Sequence, residues 1–64
     1  MNNDELLQLV THVDEMDNTQ GLNLSGRQLE WLIDLVEHAK QGRFDRFTDN
    51  AIDFLNTCKR GFYS

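Results

Sequence analysis

The stretch Leu22–Gly42, LNLSGRQLEWLIDLVEHAKQG, decides the fold. Ser25 is a good helix N-cap, and Gln28 three residues on completes the S-x-x-Q capping box. Leu24 and Leu29 stand where a hydrophobic staple would close around that cap. At the far end Lys40 suits the helix C-terminus, and Gly42 can take the left-handed conformation that stops a helix. Between the two signals, Leu29, Leu32, Ile33, Val36 and Ala39 fall on one stripe at helical spacing. Trp31 and Leu35 widen the apolar arc to roughly 200° at about 100° per residue. One neighbour covers less than that, because a surface helix typically buries an arc a little over 100° wide. The expected arrangement is a helix over 25–41 sandwiched between two others.

Those two others are legible on either side. Leu6, Leu9, Val10, Val13 and Met16 share a stripe, with Asn3 or Asp4 as cap, giving a helix over 3–16. Leu7 falls off that stripe. MDNTQGLN, residues 16–23, ends the apolar periodicity with turn-prone residues and Gly21. Downstream, Phe44, Phe47, Ala51, Phe54, Leu55 and Cys58 share a third stripe, and Ile52 lies off it. Thr48 has Phe47 and Ile52 in staple positions, so it reads as an internal cap after a short turn of helix at 43–47. The whole third segment spans 44–60, with Lys59, Arg60 and Gly61 marking its end and Phe62 folding back onto the core. Short connections and three amphipathic helices predict an all-α, three-helix bundle, a single domain over 1–64 with the middle helix touching both neighbours.

A 64-residue chain buries only about 60% of its unfolded surface, so small folds lean on staples or subunits. Cys58 is the sole cysteine, which excludes an internal disulfide, and with His12 and His38 it is too little for a dense metal cluster. A lone cysteine suits a reducing compartment. The N-terminus has no basic region before its apolar residues, and no apolar run nears the ~20 residues that cross a bilayer. The expectation is a cytoplasmic protein with no membrane partner. A net charge of -5 disfavours direct nucleic-acid binding and favours a basic protein surface.

Glu30, Asp34 and Glu37 form one acidic stripe, and Asp45, Asp49 and Asp53 form another if that region is helical throughout. Like charges at helical spacing cost a few tenths of a kcal/mol each. They read either as a solvated face or as a docking surface. Trp31 beside Leu35 and His38 is either an edge packed on a neighbouring helix or an interface anchor. The candidate partner-binding set is therefore Glu30, Trp31, Asp34, Leu35, Glu37 and His38. No catalytic, cofactor or metal residues are expected. The two histidines lie on different helices, Cys58 has no histidine close in sequence, and a bundle this small has little room for a pocket of several hundred Å³. An EF-hand with Gly21 at loop position 6 would put Met16 and Arg27 where calcium needs carboxylates. A helix-turn-helix would turn Asp49 and Asp53 toward DNA.

The acidic helical build, with ELLQLV at residues 5–10, resembles colicin-type immunity proteins, although their SGSDLIYYP-like contact segment has no counterpart in this chain. The resemblance implies a small inhibitor that blocks a basic nuclease. The function expected is a non-enzymatic, acidic protein-binding module or inhibitor. Its class is that of phage antagonists of host machinery (anti-CRISPR or anti-restriction proteins) docking on a basic host protein, such as one that itself binds nucleic acid. The alternative is a structural homodimer whose second subunit covers Trp31 and Leu35.

Overall fold

Helix α1 begins because the Asn2 side chain takes the Glu5 backbone N–H at 2.8 Å, and Asp4 and Glu5 sit at the positive end of the helix dipole. The cap is thus one residue earlier than Asn3. The computed structural model describes residues 2–60, and α1 spans Asn3–Gln20. It runs four residues past the predicted end. The polar residues after Met16 end the apolar stripe but tolerate helical backbone. Gly21 supplies the stop, at φ 69° with its N–H donating to the Asp17 carbonyl at 3.0 Å.

The second helix, α2, spans Gly26–Lys40 and has both ends that the sequence signals. The Gln28 N–H donates to Ser25 Oγ at 3.3 Å, and the Ser25 N–H donates to Gln28 Oε1 at 3.1 Å. At the C-terminus the Arg43 N–H reaches the His38 carbonyl (2.9 Å) and the Gly42 N–H reaches Ala39 (3.0 Å), with Gly42 at φ 73°. Those two bonds make a Schellman motif.

Helix α3 spans Asp49–Lys59, shorter than the predicted 44–60. Thr48 Oγ1 accepts the Ala51 N–H at 3.3 Å and so starts the helix at Asp49. Before it, residues 44–47 close a turn through the Phe47 N–H and the Phe44 carbonyl (3.1 Å), with the two rings tilted against each other at 5.4 Å. A side-chain cap and a buried Phe47 fix this turn where continuous helix is also compatible with the apolar spacing. The fold-back of Phe62 lies outside the described residues.

The three helices form an all-α bundle, but the hub is α1, not α2. At 1.5 Å per residue α1 is about 27 Å long, which matches the 27 Å long axis of the molecule. It packs on both α2 and α3, whereas α2 and α3 approach each other only sparsely. The core is Leu6, Leu9, Val10 and Val13 from α1, Leu32, Leu35, Val36 and Ala39 from α2, and Ala51, Phe54, Leu55 and Cys58 from α3. Leu22 and Phe47 close it from the loops, and Ile52 packs partly against it. No helix among the described residues is long and apolar enough to cross a membrane.

Candidate partner-binding face

The wide apolar arc of α2 is only partly covered. Leu35 is fully buried, and so the side chain expected at a partner interface belongs to the core. Leu29 and Ile33, expected in the core, are 37% and 52% exposed. The helix is in effect rotated by about 50° from its predicted orientation at 100° per residue. The reason is the hub: α2 has one extensive neighbour, α1, which covers about half of a 200° arc, and that half is centred on Leu35, Ala39 and Leu32.

Trp31 packs on a neighbouring helix, the first of its two readings. Its indole stacks on Phe54 of α3 with ring centroids 4.6 Å apart and planes 8° from parallel. Two large rings thus span the gap where the α2 and α3 backbones stay apart. The indole nonetheless remains 37% exposed, because the stack covers one ring face.

Going round α2 from Ile33 to Trp31 on the solvent side, the residues met after Gly26 are Glu37, Glu30, Asp34, Arg27 and His38. Glu30 and Glu37 are exposed. Asp34 is engaged within the molecule. His38 Nδ1 donates to its carbonyl at 2.8 Å and lies 3.4 Å from its Oδ1, while Arg46 Nη1 lies 3.6 Å from Oδ2. The outward face is therefore a strip of three acids with one cation, Arg27, near its aromatic edge at Trp31, and an aliphatic edge of Leu29 and Ile33 with Lys40 between them. The second acidic stripe does not form: Asp45 lies in the 44–47 turn, and only Asp49 and Asp53 are on α3.

No family model matches this chain, and no curated protein or solved structure matches it.

Other chemistry-bearing groups sit elsewhere. Cys58 is fully buried, and that burial, followed by the charge of Asp17, pushes its thiol pKa up, which keeps it protonated and unreactive near neutral pH. Among the described residues no group of three His, Cys, Asp or Glu is placed to hold a metal ion. His12 borders an open groove of about 420 Å³ between α1 and α3, lined also by Glu5, Gln8, Leu9, Asn56 and Lys59. That is more space than the size of the chain leads one to expect, although the groove is open and mixed in polarity.

The charge is distributed unevenly among the helices. Five of the 11 acids, Asp4, Glu5, Asp14, Glu15 and Asp17, lie on α1, which has no Lys or Arg. The other six acids are matched by the six Lys and Arg of the rest of the chain. The whole net charge of -5 is thus that of α1. Asp17 even lies in the last turn of α1, at the negative end of its dipole.

Proposed function

We propose that this protein is an acidic protein-binding module of the inhibitor type, which docks the outward face of α2 on a basic protein surface. The observation that carries the reading is that, among the described residues, three of the four exposed large hydrophobics, Leu29, Trp31 and Ile33, sit on α2 and flank Glu30, Asp34 and Glu37. Apolar edges around a charged strip supply what surface ion pairs lack. Isolated exposed pairs contribute about 0–1 kcal/mol each, whereas buried aromatic anchors dominate binding. The net charge on α1 would steer a basic partner toward the molecule without needing to touch it. Antagonists of host nucleic-acid machinery are one class that such a module fits, since their targets carry basic surfaces.

A photo-crosslinking amino acid at position 33, compared with one at position 12 on α1, tests the reading in cells. The expected result is a discrete adduct with a basic protein from position 33 only, lost on Glu30→Lys with Glu37→Lys. Equal crosslinking from both positions, or adducts indifferent to charge reversal, would overturn it. The same experiment addresses a homodimer, which the aliphatic edge of Leu29 and Ile33 also favours. An adduct at twice 7.5 kDa from position 33 would replace the inhibitor reading with self-association.

A further inference from the structure

We infer that Trp31 and Asp34 form a seat for an arginine of the partner, and that Arg46 holds this seat in the free protein. The inference rests on the docking reading above and names the chemistry of its anchor. Phe54 stacks on one face of Trp31 with centroids 4.6 Å apart, and Trp31 is 37% exposed, which makes the opposite face of the ring the surface on which a guanidinium would stack. Asp34 follows three residues later on the same helix, which places its Cβ about 5–6 Å from that of Trp31. An aromatic face beside a carboxylate is the pair of contacts that a planar guanidinium makes best, by stacking on the ring and donating to the oxygens. A lysine ammonium can satisfy the charge but has no plane to stack.

The structure already contains one such contact. Arg46, from the turn before α3, extends a guanidinium nitrogen to 3.6 Å from Asp34 Oδ2. Both side chains are substantially exposed, 60% and 41%, so the pair is weak and exchangeable. His38 donates its Nδ1–H to the Asp34 backbone carbonyl, and that nitrogen lies 3.4 Å from the carboxylate. An incoming arginine therefore competes with Arg46 for Asp34 and gains the Trp31 face in addition. Arg46 acts as an internal substitute ligand, which keeps the carboxylate compensated until a partner displaces it.

The test uses the full chain and two blocked nonapeptides of glycine and serine, one carrying three arginines and its twin three lysines. The sole tryptophan makes both the indole N–H resonance and fluorescence local reporters. The arginine peptide is expected to shift the Trp31 indole and the Asp34 amide and to bind more tightly than its twin. Arg46→Gln is expected to tighten the arginine peptide by about two- to fivefold, the range of a released surface pair. Asp34→Asn and Trp31→Leu should each erase the preference for arginine. Arg46 and Asp34 are surface residues, so their variants keep the test decisive even if Trp31→Leu impairs folding. Equal binding of the two peptides, or an Arg46→Gln protein that binds no better, overturns the arginine seat. If shifts in that case still map to α2, the docking reading stands alone. Shifts confined to the acids of α1 overturn both.

Discussion

Single side chains set the boundaries in this protein. Ser25→Ala removes one bond of the capping box and should cost about 1 kcal/mol, a fall of about 4–8 °C in a domain this size, read by circular dichroism. Trp31→Ala loses an aromatic stack and part of its burial, and should cost about 2–4 kcal/mol in urea titrations. Cys58 makes a pH prediction with a definite sign. Its pKa is raised in the folded protein, by burial first and Asp17 second, so the folded state holds the thiol proton to higher pH than the unfolded chain does. Stability is then complete below the ordinary thiol pKa of about 8.5 and declines as pH rises through it, because unfolding is coupled to proton loss. A Cys58→Ala protein should lose that alkaline decline while its stability near pH 7 drops for the separate reason of a small cavity. A wild-type denaturation midpoint that stays flat from pH 7 to 10 would contradict this.

At the scale of the element, the orientation of α2 is the point to test. Leu35→Ala should cost about 2–5 kcal/mol, because the side chain is fully buried. Ile33→Gln should change stability by less than about 0.5 kcal/mol, as a surface substitution. Urea midpoints of the two variants decide between the observed rotation and the one that periodicity suggests. The caps of α2 were legible because capping is local: Ser25, Gln28 and Gly42 act within one turn of chain. The start of α3 was half legible. Thr48 was recognisable as a cap, but whether residues 44–47 wind as helix depended on Phe44 and Phe47 finding each other across a turn.

At the scale of the whole molecule, the net charge lies on α1 and the exposed apolar edges on α2. Reversing Asp4 and Glu15 should slow association with a basic partner several-fold at low salt and leave dissociation nearly unchanged, as measured by stopped flow across ionic strengths. Equal effects on both rates would place α1 inside the interface. The sequence alone was enough for three helices, for the caps that bound α2, and for the net charge, because these depend on residues within a few positions or on composition. It also placed Trp31, Glu30, Asp34 and Glu37 on one helix. What only the tertiary structure decided is which half of α2's apolar arc is covered. That depended on α1 becoming the hub, and hence buried Leu35 while leaving Leu29 and Ile33 outside. The Arg46 contact to Asp34 is equally a product of the fold, since it joins a turn to a helix through space. Periodicity gives the width of an amphipathic face, but the packing partner selects the part of it that leaves water.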